Sequence, residues 1–122
     1  QLFDILLMNL FTNAARYNRS VQPRLDIRFV PRPDGVDIRF QDNGVGIERK
    51  ELRKIFRKFY RAGRADDMTA RGSGLGLYLV QQIARIHGAE VKAESDGPGK
   101  GSVFTLNIPR PKGADWARSV SS

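Results

Sequence analysis

The sequence has no cysteine, one tryptophan and one histidine in 122 residues. The absence of cysteine excludes disulfides, thiolate metal sites and cysteine nucleophiles, and it leaves the redox compartment open. No apolar run approaches the roughly 20 residues that a membrane-spanning helix requires. The sequence also contains no signal-peptide pattern with a cleavage site.

Acidic residues are scarce relative to basic ones. The chain has 13 Asp and Glu against 21 Lys and Arg, and its formal net charge is +8 at pH 7. Basic residues are concentrated in segment 53–71, beside Phe56, Phe59 and Tyr60, a combination that can bind single-stranded nucleic acid. We favour a solvated basic surface over a nucleic-acid site, and an anionic membrane surface or a small polyanion also fits the charge.

The length fits one domain. Apolar residues make up 40% of the chain and include seven Phe, enough for a single hydrophobic core. Because the sequence starts at Gln1, inside a helical pattern and without an initiator Met, we interpret it as a fragment of a longer protein.

Hydrophobic periodicity predicts three helices. Residues 2–17 place most of their apolar side chains on one arc at about 100° per residue, as an amphipathic helix does. Residues 48–60 have apolar residues at the same spacing. Residues 74–87 do so as well, and Gly88 then provides a common helix C-terminus.

Alternation of apolar and polar residues predicts four strands. LDIRFV and VDIRFQ flank the turn cluster PRPDG, and AEVKAES and SVFTLNI flank the turn DGPGKG. The polar stretch 61–73 is predicted as a long mobile loop. The order of elements favours an α+β fold, a two-layer sandwich with helices on one face of a largely antiparallel sheet.

Three glycines, Gly72, Gly74 and Gly76, stand at the start of the third predicted helix. Glycine inside a helix costs about 1 kcal/mol relative to Ala, so its repeated use indicates a close approach of the backbone to another group. A phosphate is the first candidate, because helix N-termini attract anions. The spacing fits neither the Rossmann fingerprint nor the P-loop, and the V-A-I-K, H-R-D and D-F-G motifs of protein kinases are absent. Close helix packing is the alternative explanation.

Asp42 follows the strand VDIRF and precedes Gly44 and Gly46, which allow a tight turn. An ionised Asp only accepts hydrogen bonds, which suits a donor such as the exocyclic amine of adenine. An ordinary Asx turn over DNG at 42–44 is the alternative explanation.

Asn9 and Asn13 lie one turn apart on the first predicted helix, with Arg16 a turn further along. Amide oxygens are hard, uncharged ligands that can hold Mg²⁺ already neutralised by a triphosphate, and Arg16 can then reach a phosphate. Two solvent-facing Asn residues are the alternative interpretation.

Four segments occur in a distinctive order: NLFTNAARY at 9–17, DNGVGI at 42–47, IFRKFYR at 55–61 and GSGLGL at 72–77. They resemble the N, G1, F and G2 boxes of the catalytic, ATP-binding domain of sensor histidine kinases. The ending GKGSVFTLNIP is similar to the last strand of that family. The resemblance covers residues 2–109 and implies the Bergerat-type fold shared with DNA gyrase and MutL ATPase domains. That fold has a mixed, mostly antiparallel sheet with three helices on one face.

The resemblance also implies roles for individual residues. Asn13 corresponds to the Mg²⁺-coordinating Asn, with Asn9 as its helper, and Asp42 corresponds to the Asp that reads adenine. Catalytic roles are implied for Asn9, Asn13, Arg16 and Arg61, with Arg61 able to face the γ-phosphate at the start of the lid. The remaining implied nucleotide contacts are Tyr17 beside the base, Gly44, Gly46, Ile47, Gly72, Ser73, Gly74, Leu75, Gly76 and Leu77.

The sequence departs from the family pattern in three places. Arg16 stands where Lys is usual near the phosphates, so a planar guanidinium replaces the compact charge of an ammonium group. Arg57 and Lys58 replace a more usual acidic residue of the F box, a change that bears on docking. Asn9 stands where gyrase-like ATPases have a Glu that activates water, and an amide cannot act as a general base. The resemblance therefore implies phosphoryl transfer to another residue rather than efficient hydrolysis.

The acceptor of that transfer is absent from the sequence, because the single histidine, His87, stands at a helix end where capping explains it better. The resemblance implies ATP and Mg²⁺ as cofactors. It implies as partners the upstream dimerisation and phosphoacceptor helices of a homodimeric protein, and a response regulator receiver domain. It implies a cytoplasmic domain and leaves open whether the full-length protein is anchored in the inner membrane. Residues 1–109 form the predicted kinase domain, and residues 110–122 a tail or linker.

Three alternatives remain. An anti-sigma-type serine kinase has the same fold, but its family lacks the full IFRKFYR box. A nonenzymatic, ATP-dependent interaction module would use the same nucleotide site without transfer. A basic nucleic-acid binder would use segment 53–71.

Overall fold

The computed structural model describes residues 1–16, 18–60 and 76–110, with the side chain of Arg16 excepted. Its elements in chain order are α1 (Leu2–Arg16), β1 (Leu25–Arg32), β2 (Gly35–Asp42), a 3₁₀ turn (Arg49–Glu51), α2 (Gly76–Ile86), β3 (Glu90–Glu94) and β4 (Ser102–Pro109). The predicted loop 61–73 and residues 111–122 of the predicted tail lie outside the described residues. Neither described α-helix has the length and apolar character needed to cross a bilayer.

The four strands form one sheet in the order β1-β2-β4-β3, and each of its three pairings is antiparallel. Pro33 and Asp34 connect the hairpin of β1 and β2, where the fixed φ of proline suits a tight turn. The α+β sandwich predicted from the order of elements is confirmed. The mixed character expected from the resemblance is not seen among the described strands, which are all antiparallel.

The core lies between the two helices and one face of the sheet. Phe40 of β2 pairs with Phe104 of β4, and Ile38 pairs with Leu106, so these four side chains share the inward face. Leu6 of α1 is fully buried against them. The other buried apolar residues of this cluster are Leu10, Ile55, Val80, Ile83, Ala84, Ala89 and Val91. Burial of this apolar surface is the main favourable term for the fold.

The opposite face of the sheet contains a buried carboxylate. Asp37 is 4% exposed although it points away from the helices. Its Oδ2 accepts a hydrogen bond from Arg32 Nε, and its Oδ1 accepts one from Asn107 Nδ2 at 2.6 Å. The two partners compensate the loss of water at this carboxylate.

The helix predicted over residues 48–60 is replaced by a 3₁₀ turn and further turns. Their hydrogen bonds connect residues three apart, from Glu51 N to Glu48 O, from Lys54 N to Glu51 O and from Arg57 N to Lys54 O. Apolar residues three positions apart fit a 3₁₀ turn as well as an α-helix, so their periodicity alone does not distinguish the two conformations. The described residues therefore contain two α-helices where three were expected.

We expect Leu106→Ala to lower the free energy of unfolding by about 2–5 kcal/mol, because Leu106 is 0% exposed and truncation leaves a cavity. Val21→Ala is the control, since Val21 is 99% exposed and its loss should change stability by at most about 0.5 kcal/mol. Urea denaturation of both variants measures the difference. Equal stabilities would contradict the assigned core.

Candidate functional site

Asp42 is the last residue of β2 and belongs to the same inward row as Ile38 and Phe40. It is 9% exposed. Its Oδ1 accepts a hydrogen bond from Gly44 N at 2.8 Å, and its Oδ2 accepts one from Ser102 Oγ at 2.8 Å. Each carboxylate oxygen has two lone pairs, so both retain capacity to accept another donor. Asp42 is thus a buried acceptor held in a fixed orientation at the end of the sheet.

The loop after Asp42 lies tightly against the turn between β3 and β4. A Cβ on Gly46 would stand 2.1 Å from Gly97 O, and Gly46 has a φ of +77°. A Cβ on Gly101 would stand 2.2 Å from Asp42 O, and Gly101 has a φ of +70°. Glycine is required at both positions because a side chain would collide with backbone atoms.

Ser95 fastens the same two segments through its hydroxyl. Its Oγ donates to Gly101 O at 2.6 Å and accepts from Ile47 N at 3.0 Å and from Gly97 N at 3.2 Å. Gly46 and Ile47, both predicted from the sequence, therefore have a structural partner in the turn 95–101.

Asn9 and Gly76 meet where α1 passes the start of α2. Asn9 Nδ2 donates to Ile5 O at 2.8 Å. Asn9 Oδ1 lies 3.1 Å from the position that a Cβ on Gly76 would take. Close helix packing, the alternative explanation of the glycines, therefore accounts for Gly76, while Leu77 packs against the hydrophobic core.

Asn13 is half-buried one turn further along α1. No hydrogen bond to its side-chain amide is recorded within the described part of the chain. With respect to the described residues, the Asn13 amide therefore remains available to bind a further partner.

Several predicted site residues lie outside the described residues. They are Tyr17, Arg61, Gly72, Ser73, Gly74, Leu75 and the side chain of Arg16. The roles that the resemblance implies for them stay predictions.

The end of the 48–60 segment contacts α2 through a basic side chain. Lys58 Nζ lies 5.4 Å from the ring centroid of Phe59 and 5.9 Å from that of Tyr78, within the range of cation–π attraction. Phe59 has a φ of +65°, which is strained for a bulky residue. Lys58, one of the departures from the family pattern, thus contacts the first turn of α2.

His87 is bound within its own helix end. Its Nδ1 lies 2.9 Å from Ile83 O, to which it can donate a hydrogen bond as a capping side chain does. Its ring also makes a T-shaped contact with Phe3, with 6.1 Å between centroids.

Comparison with known proteins decides the family. The sequence model of the family described as "Histidine kinase-, DNA gyrase B-, and HSP90-like ATPase" matches residues 2–112. The chain belongs to this ATPase family. The model spans all four boxes quoted above, so the family resemblance seen in the sequence is confirmed.

Individual relatives of this ATPase-family chain are sensor kinases. Signal transduction histidine-protein kinase AfsQ2 of Streptomyces coelicolor is 40% identical over 109 residues, which cover 88% of this chain and 19% of AfsQ2. Sensor protein kinase WalK of Staphylococcus aureus is 34% identical over 119 residues, which cover 95% of this chain and 28% of WalK. The chain thus spans less than a third of either relative.

A solved structure agrees with these sequence matches. The mycobacterial sensor histidine kinase MprB superposes with a TM-score of 0.73 and 27% sequence identity, over 88% of this chain and 70% of the MprB chain. The chain is therefore a histidine-kinase-like ATPase domain of the kind found in sensor kinases.

Sequence reasoning missed three residues that shape the site of this ATPase domain: Asn43, Ser95 and Ser102. Ser102 had a readable signal, because it occupies the inward phase of SVFTLNI together with Phe104 and Leu106. A polar residue in an apolar row requires a partner, and the register supplies Asp42 opposite Ser102.

We expect Gly46→Ala to destabilise the domain more than Gly99→Ala. Both glycines have positive φ, at +77° and +78°, so either Ala adds left-handed strain of about 1–2 kcal/mol. At Gly46 the new Cβ also meets Gly97 O, whereas nothing lies within 4 Å at Gly99. Denaturant unfolding should therefore show a further loss of about 1–3 kcal/mol at position 46. The same loss in both variants would refute the close approach of the two loops.

Proposed function

We propose that this ATPase-family domain binds Mg-ATP and transfers the γ-phosphoryl group to a histidine in another part of a sensor histidine kinase. The observation that carries the proposal is Asp42. It is a buried carboxylate with spare acceptor capacity, held by Gly44 and Ser102 at the edge of a glycine-requiring loop.

Asp42 would read the adenine base. The exocyclic amine of adenine is a donor, and an ionised carboxylate accepts without offering a competing proton. Gly46 allows the loop after Asp42 to lie close to the turn 95–101. Ile47 would supply apolar contact at this end, where it already packs against the core.

Asn13 and Asn9 would hold Mg²⁺ with the phosphates. Asn13 is half-buried and has no side-chain hydrogen bond to another described residue, and Asn9 Oδ1 is directed towards the start of α2. No group of three or more His, Cys, Asp and Glu that could hold a metal occurs among the described residues. An amide oxygen beside phosphate oxygens is a donor set that suits Mg²⁺, which when bound would neutralise charge on the transferring phosphoryl group. Arg16, Arg61 and residues 72–75 would complete the phosphate contacts.

Transfer rather than hydrolysis is favoured by the chemistry at position 9. The Asn9 amide donates to Ile5 O and has no basic atom with which to activate water. Phosphoryl transfer requires mainly positioning and charge neutralisation from the nucleotide-binding side. The bond from the γ-phosphorus to the bridging oxygen of ADP would break as a bond to an imidazole nitrogen of the acceptor forms.

The partners follow from the same proposal. Dimerisation and phosphoacceptor helices of the same protein would present the histidine, and a response regulator receiver domain would take the phosphoryl group from it. AfsQ2 and WalK, which are named as kinases, support this assignment because the chain aligns with 19% and 28% of them and leaves room for such parts.

Two assays test the proposal. Calorimetric titration should show binding of Mg-ATP. If the domain binds DNA, that affinity should fall steeply when the salt concentration is raised. Joined to phosphoacceptor helices of a relative, the domain should yield acid-labile phosphate from ATP. ATP binding without such phosphate would favour the interaction module, and acid-stable phosphate the serine kinase.

We expect Asp42→Asn to weaken ATP binding by about 1–3 kcal/mol, roughly ten- to hundredfold in dissociation constant. The amide can keep both contacts, accepting from Gly44 N and donating to Ser102 Oγ, but it loses one acceptor for the base. Asp37→Asn is the matched control on the same strand and opposite face, and it should lower stability without changing ATP affinity. Calorimetry measures both, and unchanged binding in folded Asp42→Asn would reject the adenine role.

We expect Asn13→Ala to abolish most of the gain in nucleotide affinity that Mg²⁺ provides, because the amide ligand is removed. Thr12→Ala, at an exposed position of the same helix, should retain that gain. The measurement is the ratio of ADP dissociation constants with and without Mg²⁺. An equal ratio in the two variants would overturn the assignment of the metal ligand.

A further inference from the structure

Asn43, in the loop directly after Asp42, is the centre of a hydrogen-bond network. Its side-chain Oδ1 accepts from Asn18 Nδ2 at 2.7 Å and from Arg24 N at 2.8 Å. Its Nδ2 donates to Gln22 O at 2.9 Å. Its backbone carbonyl accepts from Ser20 Oγ at 2.7 Å. Asn43 thus contacts four residues of the connection between α1 and β1.

The side chain, and not the backbone conformation, explains asparagine at this position. Asparagine in a loop is often used because it tolerates a positive φ. Among the described non-glycine residues, a positive φ is recorded at Phe59 and not at Asn43. A side-chain amide is required because its Oδ1 accepts two hydrogen bonds while its Nδ2 donates one to a backbone carbonyl.

The network joins the two ends of the proposed nucleotide site. Asn18 N donates to Ala15 O at 3.4 Å, so Asn18 lies at the end of α1, close along the chain to Asn13. Asn43 is covalently adjacent to Asp42. The end of the helix that carries the proposed metal ligand is therefore linked to the residue beside Asp42 by the hydrogen bond from Asn18 to Asn43, in addition to the packing of α1 on the core.

We propose that Asn43 is a positioning residue that fixes the end of α1 relative to Asp42, so that one nucleotide contacts both. The inference rests on the proposed function and deepens it. Asn43 contacts neither base nor phosphate. It acts by holding the end of α1 in position before the nucleotide binds. Less conformational entropy is then lost when the phosphates and the metal contact α1 after the base has bound.

Removing the Asn43 amide should affect the binding of adenosine and the binding of Mg-ADP to different extents. In Asn43→Ala the bonds from Gly44 N and Ser102 Oγ to Asp42 remain, so adenosine should bind within twofold of its normal affinity. The end of α1 loses the hydrogen bond from Asn18 to Asn43, so Mg-ADP should bind about tenfold more weakly. The ratio of adenosine to Mg-ADP dissociation constants is the diagnostic quantity. Adenosine is followed by NMR titration and Mg-ADP by calorimetry.

Three further variants complete the experiment. Asn18→Ala removes one partner of the Asn43 amide and should lower the ratio in the same direction. Asn43→Asp still accepts from Asn18 and Arg24 but cannot donate to Gln22, so its ratio should fall between those of the wild type and Asn43→Ala. Asn107→Ala, the matched control, loses a hydrogen bond to Asp37 on the opposite face of the sheet and should lower stability without changing the ratio.

Several outcomes would overturn the inference. If adenosine and Mg-ADP weaken by the same factor in Asn43→Ala, the residue only maintains the loop. If neither affinity changes, the network has no part in binding. Should Asn43→Ala not fold, Asn18→Ala and Ser20→Ala give the same ratio test. If the wild-type chain binds no adenine nucleotide, the proposed function fails together with this inference. If the wild type binds normally and the ratio is the same in Asn43→Ala, only this inference fails.

Discussion

The burial of Asp42 is the constraint on which the arrangement of the site depends. A carboxylate removed from water must be compensated, and here a backbone N–H of the next turn and a hydroxyl of the neighbouring strand do so. These two contacts require the loop to turn sharply at Gly44 and β4 to begin at Ser102. Gly46 lies close to Gly97, and Gly101 lies close to Asp42, at the same end of the sheet.

The fold was largely predictable from the sequence because its elements have strong local signals. The amphipathic period of α1 and α2 and the alternation of the four strands fix element types with little help from tertiary contacts. Asp42 and Gly46 were also predictable, since an acidic residue followed by two glycines after an apolar strand indicates a special turn. Their roles came from the order of four motifs, which periodicity alone does not give.

The rest of the site depends on contacts between segments distant in sequence. Ser102 matters because the register places it opposite Asp42, and Asn43 matters because residues 18–24 return to it. The turns over 48–60 were mistaken for a helix because apolar residues such as Ile55 and Phe56, which pack onto the core, have a spacing that fits both conformations. Gly76 lies against Asn9 in the described residues, and its predicted contact with phosphate stays a prediction.

The pairing of β2 with β4 has a consequence for how the domain acquires its site. Asp42 and Ser102 are 60 residues apart, and the strands that carry them meet at the centre of the sheet. Such non-local contacts form slowly, because the entropy of closing a long loop opposes them until the surrounding interactions are in place. In a partly folded species in which β1 and β2 have paired but β4 has not docked, Asp42 would lack the hydrogen bond from Ser102 Oγ. The proposed recognition of the base would therefore require the completed central sheet, and a molecule bound there would stabilise the chain against separation of β2 and β4.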